Sequence, residues 1–426
     1  MPSNWILKPL GYFLNRVAGG GTPSKKVSSY WEGGIPWASV KDFQEDTHLL
    51  YDTAEHISFE GLKKSAANLI PAGVPLICVR MAVGRTALTT QPTAINQDVK
   101  ALYTNDFLLP EYLLYLLCFH RQQLEAVSIG STVKGIRLKQ LLSLPINVPS
   151  PSAQRLIITT LDSLNKQIQH TEQMIAKLKL QREGLLHKLL TCGIDEHGQL
   201  RDPVAHPGQF KDSVLGTIPK EWELTHIGRL AETITSGSRG WAEYYSHQGS
   251  LFLRISNLTR EHVHLRLQDL TYVSPPTNSE GARTAVKSGD ILISITADLG
   301  IIGVIPSNFD TAYVNQHIAL VRFNNGVHPE YIANYLAGEA GQKQFRRLND
   351  SGAKAGLNLV AIANLRFPLP PIQEQRAISH AINSIETTIR VEEEHRIKLK
   401  LYKTGLMHDL LTGKVRVGEK QEEGVN

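Results

Sequence analysis

The sequence predicts an α+β protein. Two mixed α/β domains stand in a pseudo-two-fold repeat, separated by two long helices forming an antiparallel coiled coil. Three observations predict it: the chain repeats itself, each copy ends in a proline-free heptad segment, and each copy carries glycine-bounded β-branched runs ahead of that segment.

The repeat sets the frame. Gln154-Arg155 recurs as Gln375-Arg376, 221 positions on (375 − 154), and Leu185-Leu186-His187 recurs at the same offset as Leu406-Met407-His408. Upstream, Asn96-Gln97 matches Asn315-Gln316, Pro110-Glu111-Tyr112 matches Pro329-Glu330-Tyr331, Gly73 matches Gly289, and Trp5 matches Trp222. The offset drifts from 217 (222 − 5) to 221, so the copies differ by a few loop residues.

The first domain is read over residues 1–150. Val74 to Val79 is a strand after a glycine turn, and Pro110 to about Ser128 is a helix opened by proline. Residues 151–195 form the first long helix. Its apolar positions Ile157, Leu161, Leu164, Ile168, Ile175, Leu178, Leu185 and Leu189 step by four and three, with Thr171 and Arg182 in the missing places. Residues 196–220 are polar and punctuated and read as a linker.

The second domain covers 221–368, with a strand from Asp290 to Ile295 and a helix from Pro329 to about Leu348. Arg121, Arg346 and Arg347 are placed towards helix C-termini, where the dipole favours them. Residues 369–416 form the second long helix, with seam positions Ile378, Ile382, Ile385, Ile389, Leu399, Leu406 and Leu410, interrupted by Glu392, Arg396 and Lys403. The polar seam residues read as register markers, or as basic side chains reaching the rim. Residues 417–426 read as a flexible tail. Neither helix buries its stripe alone. Antiparallel pairing within the chain is favoured over two separate surface helices or a parallel dimer, because a domain lies between them in sequence.

Composition narrows the function classes. The net charge of +5 is compatible with a polyanionic partner without requiring one. Cys78, Cys118 and Cys192 form no Cys-x-x-Cys pair, which speaks against zinc and a disulfide framework. A cytoplasmic location is expected, since neither a signal peptide nor an apolar span is evident.

At this point several segments are recognisable together. Gly21-Thr22-Pro23-Ser24, Tyr30-Trp31 and Ile35-Pro36-Trp37 stand in the first half. Gly216-Thr217-Ile218-Pro219-Lys220-Glu221-Trp222, Gly237-Ser238-Arg239-Gly240-Trp241, Tyr244-Tyr245 and Phe252-Leu253-Arg254-Ile255-Ser256-Asn257 stand in the second, and Pro371-Ile372-Gln373-Glu374-Gln375-Arg376 opens the second long helix. In this order and spacing the chain resembles the specificity subunit of type I restriction–modification systems along nearly its whole length. The first long helix opens on Pro149-Ser150-Pro151-Ser152-Ala153-Gln154-Arg155, a degraded copy of the second opening.

The resemblance implies two target recognition domains, each reading one half of a split double-stranded DNA site, with the helices as a spacer. It implies two methylation subunits carrying S-adenosylmethionine and an ATP- and Mg²⁺-dependent restriction subunit as partners, no cofactor in this chain, and no catalysis by it.

Motifs for chemistry of its own are weak. Neither Pro275-Pro276 nor Pro370-Pro371 follows Asn or Asp, as an amino-methyltransferase motif needs, and Gly413-Lys414 is followed by Val415, not Ser or Thr. Asp98-Val99-Lys100 is a lone Asp-x-Lys, read as local structure beside Asn96-Gln97. His187 and His408 sit at equivalent helix positions and read as dipole-compatible or partner-facing rather than metal ligands. The alternatives to DNA readout are a self-contained DNA-modifying enzyme and a coiled-coil scaffold.

Candidate DNA contacts follow from residue type in loops and strand ends. In the first domain they are Lys25, Lys26, Lys41, Arg80, Arg85, Lys134 and Arg137. In the second they are Arg239, Arg254, Asn257, Arg260, Lys354 and Asn358. For each, a solvated surface residue is the competing reading.

Overall fold

The computed structural model describes residues 5–44, 48–128, 134–237, 239–275, 279–350 and 356–417. The chain divides into two compact units. One comprises Met1–Glu172 with His395–Asn426, and the other Gln173–Glu394. Each long helix therefore contributes one half to each unit.

In the first unit, Ile6–Pro9 pairs antiparallel with Pro145–Val148, which leads into the first long helix. A five-stranded sheet runs in the order Leu14–Gly19, Val99–Thr104, Pro75–Cys78, Thr86–Thr89, Leu49–Leu50. A second sheet runs His56–Ile57, Ile35–Ala38, Thr93–Ile95, Asn68–Ile70, its central pair parallel. Leu76, Ile77 and Cys78 are fully buried, as expected for a central strand with both faces covered. Burial pushes the Cys78 thiol up to about 12, so this cysteine is a packing residue and not a nucleophile.

The second unit follows the same plan, without a counterpart of Leu49–Leu50 in its main sheet. Glu223–His226 pairs with Arg366–Leu369 ahead of the second long helix. One sheet runs Ala231–Ser236, Ile318–Phe323, Ile291–Ser294, Ile302–Val304. The other runs Tyr245–Ser246, Tyr272–Val273, Ser250–Leu253, Ala312–Val314, with its parallel pair, Ser250–Leu253 and Ala312–Val314, at one edge. Gly73 and Gly289 both take φ +81°, which explains a glycine ahead of each core strand. Asp290, fully buried beside Gly289, is held by Arg322 through bonds of 2.8 and 2.6 Å. Burial dominates and raises the Asp290 carboxyl above its usual value.

The expected single helices after Pro110 and Pro329 are each broken. Pro110–Phe119 is followed by Arg121–Ala126, and Pro329–Ala337 by Glu339–Asp350. At Gly338 the backbone turns extended (ψ 172°), and the next helix sets out in a direction that buries Phe345. Arg121 consequently opens a helix rather than closing one. Its guanidinium answers Glu125, one turn on, at 2.8 Å instead of the C-terminal dipole.

The long helices span Pro151–Thr191 and Ile372–Leu411. Within the first unit, Ile157 and Leu161 near the start of one share an apolar cluster with Met407, Leu410 and Leu411 at the end of the other. Within the second unit, Leu185, Leu189 and Leu190 meet Ile378 and Ile382. Start against end in each unit means the two helices run antiparallel. Of the seam positions, Ile157, Leu161, Ile168, Ile175, Leu189, Ile378, Ile382, Ile389, Leu399 and Leu410 are buried. Leu164, Leu178, Leu185, Ile385 and Leu406 are half-buried, and Thr171 is buried among them. Ion pairs flank the stripe. Lys400 meets Glu172 at 3.0 Å in the first unit, and Lys179 meets Glu393 at 2.7 Å in the second. Arg182 pairs with the buried Glu386, whose other oxygen lies 3.0 Å from His264 Nε2.

Buried glutamines fix where each helix starts. Gln154 Oε1 accepts from the Leu109 amide at 2.8 Å, and its amide donates to the Phe107 and Pro149 carbonyls. Gln375 Oε1 accepts from the His328 amide at 2.8 Å, and its Nε2 donates to the Pro370 carbonyl. Leu109 and His328 each precede the proline that opens a domain helix, so each glutamine ties a long helix to its own domain. That accounts for the repeated Gln-Arg step despite the degraded first opening.

The segment read as a linker is folded onto the second unit. Phe210–Lys211 pairs with Ile218–Pro219, and Phe210 and Ile218 are buried. The Glu374 carboxylate gathers it: Ile194 N donates at 3.0 Å, Arg201 Nη1 at 2.5 Å and Nη2 at 3.3 Å, and Trp222 Nε1 at 3.1 Å. Gly193, at φ +66°, ends the first long helix there. A Cβ on it would sit 2.3 Å from the Glu374 carboxylate, so no other residue fits.

Candidate nucleic-acid interface

The two units carry matching frames at the turn after the core strand. Pro75–Cys78 and Thr86–Thr89 are joined by a turn in which Met81 takes φ 62°, and Ile291–Ser294 and Ile302–Val304 by one in which Ala297 takes φ 59°. Left-handed backbone at a residue with a side chain is strained. It is held by the same bonds twice. Gly84 N donates to Cys78 O at 3.0 Å, and Gly300 N to Ser294 O at 2.9 Å; Val79 N donates to Asp98 O at 2.8 Å, and Ile295 N to His317 O at 2.9 Å. Asn96 Oδ1 accepts from Asp98 N at 3.0 Å, and Asn315 Oδ1 from His317 N at 3.2 Å. The Asn-Gln repeat is thus an Asx turn that orders the neighbouring strand. The glycine motifs abut it: a Cβ on Gly20 would fall 1.8 Å from Ile95 O, and one on Gly237 2.0 Å from Asn315 O.

The predicted contact residues fall unevenly around these frames. Arg80 stands on the first turn, its side chain 58% exposed and 3.7 Å from Asp98 Oδ1. Lys134 is tied to the same turn, its carbonyl accepting from Met81 N at 2.9 Å, and Arg85 follows the turn, its Nη1 bonded to Phe43 O at 3.0 Å. Arg80, Arg85 and Lys134 are therefore brought together. Lys26, Lys41 and Arg137 are exposed. Lys25 is exposed but engaged, paired with Glu55 at 3.0 Å and lying over the Trp31 ring at 4.9 Å.

In the second unit Arg239 is exposed, and Arg254 meets Asp269 at 3.3 Å. One expectation needs correction. Asn257 is buried; its oxygen takes Arg254 N at 2.9 Å and its amide serves the Arg266 and Asp269 carbonyls, so it holds a loop and offers no base contact. Arg260 is exposed but engaged, meeting Asp298, Gln342 and the Leu299 carbonyl, a clamp between two loops and a helix. Asn358 caps the short helix Leu359–Ala363, its oxygen accepting from Ala361 N at 2.8 Å. Lys354 lies outside the described residues.

What residue type alone misses is the pair at the turn. Arg80 and Asp98 have Thr296 and His317 as counterparts, joined by a 2.7 Å bond between Thr296 Oγ1 and His317 Nδ1. The Asn-Gln repeat is the signal that points there. Among the described residues no group of three or more His, Cys, Asp or Glu side chains could hold a metal ion, and no helix is long and apolar enough to cross a membrane.

The model of the type I restriction modification DNA specificity domain matches residues 2–180 and 273–401. The MjaIX type I specificity subunit of Methanocaldococcus jannaschii is 27% identical over 264 residues, 61% of this chain and 59% of that subunit. The MjaVIII specificity subunit of the same organism is 21% identical over 98% of this chain and 94% of its own length. The crystal structure of a type I restriction–modification S subunit from M. genitalium has the same fold, with a TM-score of 0.60 at 16% identity, covering 96% of this chain and 97% of that one. With family matches on both copies of the repeat, the chain belongs to the type I restriction modification DNA specificity family.

Proposed function

We propose that this chain reads a bipartite double-stranded DNA site, one half-site per domain, and brings methylation and restriction subunits to it without catalysing a reaction itself. The observation that carries this reading is the duplicated frame: the same backbone bonds hold different side chains at the same turn in each unit. One scaffold used twice in a single chain suits two half-sites of unlike sequence, because sequence is read by side chains while the backbone fixes register. Exposed Lys26, Lys41, Arg137 and Arg239 supply charge for phosphates. In this reading the long helices set the gap between half-sites, and two methylation subunits carrying S-adenosylmethionine bind around them, with an ATP- and Mg²⁺-dependent restriction subunit completing the assembly.

The test is selection of a randomised double-stranded DNA library by the full chain, followed by sequencing of what is retained. A split motif with a fixed gap is expected, with affinity falling steeply as salt rises. Retention of all sequences alike would refute the reading. Four residues inserted at equivalent points of both helices add about 6 Å to each and should lengthen the gap.

A further inference from the structure

We propose that base preference in each half-site is set by one side-chain pair on the strained turn: Arg80 with Asp98 in the first domain, Thr296 with His317 in the second. The proposal rests on the reading of DNA recognition above and names the residues that carry it.

The argument starts from what is constant. In both units the turn is closed by the same amide bonds, kept in left-handed backbone at a non-glycine residue, and braced by an asparagine turn and a glycine with no room for a Cβ. Further bonds repeat one for one. Cys78 N donates to Arg85 O at 2.9 Å, as Ser294 N does to Ile301 O. Ile136 N donates to Val79 O at 2.9 Å, as Leu357 N does to Ile295 O at 2.8 Å. Every one of these bonds is made by backbone or by Asn96 and Asn315, so the side chains at positions 80, 98, 296 and 317 are not needed to hold the frame.

Those positions are among those where the copies diverge. The first carries a cation against a carboxylate, with Gln97 bonded to Asp98 at 3.3 Å and to Thr22 at 2.7 Å. The second carries a hydroxyl on an imidazole, with the Gln316 amide 3.2 Å from the other ring nitrogen. An arginine steadied by a carboxylate presents parallel donors suited to the O6 and N7 acceptors of guanine, a contact threonine and histidine cannot reproduce. Met81 adds an apolar side chain 61% exposed beside the pair. Arg80 is exposed, Thr296 and His317 are half-buried and Asp98 is buried behind Arg80; a polar pair of different chemistry on the same backbone in each copy is what two unlike half-sites demand.

The experiment exchanges the pair. The full chain with Arg80→Thr and Asp98→His is put through the same library selection as the unaltered chain, beside the single exchange Arg80→Gln. The single exchange leaves the buried frame untouched and serves if the double one unfolds. We expect preference to change by roughly tenfold or more at one or two positions of one half-site, with the other half-site unchanged. Thr296→Arg with His317→Asp should do the converse. A melting temperature equal to that of the unaltered chain together with an unchanged motif would overturn the assignment and leave DNA recognition standing. An unaltered chain that selects no motif would overturn both.

Discussion

Replacing Glu374 by alanine removes the acceptor on which the inter-domain segment converges. Four donors reach this carboxylate: Ile194 N, both terminal nitrogens of Arg201, and Trp222 Nε1. Glu374 is 8% exposed and the Arg201 side chain 11%, so solvent does little to replace what is lost. Removing one partner of a buried ion pair costs about 3–5 kcal/mol, chiefly because the other charge stays behind unpaired. Glutamine at the same place keeps one acceptor and loses the charge, and should cost about 2 kcal/mol, near the worth of a hydrogen bond to a charged group. Urea unfolding of the full chain measures the total, and hydrogen exchange at the Ile194 amide reports the local loss. The order expected is wild type, then Glu374→Gln, then Glu374→Ala, with residues 192–222 exchanging first. An alanine variant within about 1 kcal/mol of wild type, with Ile194 still protected, would refute the idea that this carboxylate holds the segment in place.

The remaining predictions use the same logic. Gln154→Ala and Gln375→Ala should each cost about 1–3 kcal/mol by leaving a buried amide at Leu109 or His328 without its acceptor. Because the two share no partner, the double variant should equal the sum in a urea titration. Arg322→Met strands the fully buried Asp290 and should cost about 3–5 kcal/mol in the same titration, with Arg322→Met/Asp290→Leu recovering much of it. Gly20→Ala forces a Cβ to within 1.8 Å of the Ile95 carbonyl and should prevent the first domain from reaching its native fold, seen as lost near-ultraviolet dichroism. Burial pushes the Glu386 carboxyl up, but its bonds to His264 and Arg182 outweigh this and hold it below the ordinary carboxylate value. A carboxyl lowered in the folded state contributes stability above its unfolded pKa and loses it as pH falls through the folded one. The melting-temperature gap between wild type and Glu386→Gln should therefore be widest near neutral pH and close in acid.

Much of this architecture could be read before any coordinates, and the reason is physical. A duplicated fold repeats wherever backbone geometry constrains the residue, so Gly73 and Gly289 at φ +81°, or Gln154 and Gln375 at the helix starts, match letter for letter. A heptad stripe is equally plain, since a long helix packed on another must repeat its apolar face at the helical period. What the letters conceal is partnership. Asn257 and Arg260 have the residue types that touch DNA, yet folding supplies each with internal partners distant in sequence, from Arg266 to Gln342. Glu374 hides for the opposite reason: Ala153 occupies its place in the first copy, so the repeat draws no attention to it. The same reasoning gives Arg80, Asp98, Thr296 and His317 their interest. They differ between the copies at a turn whose backbone bonds repeat one for one, so the shared fold does not dictate which side chains stand there.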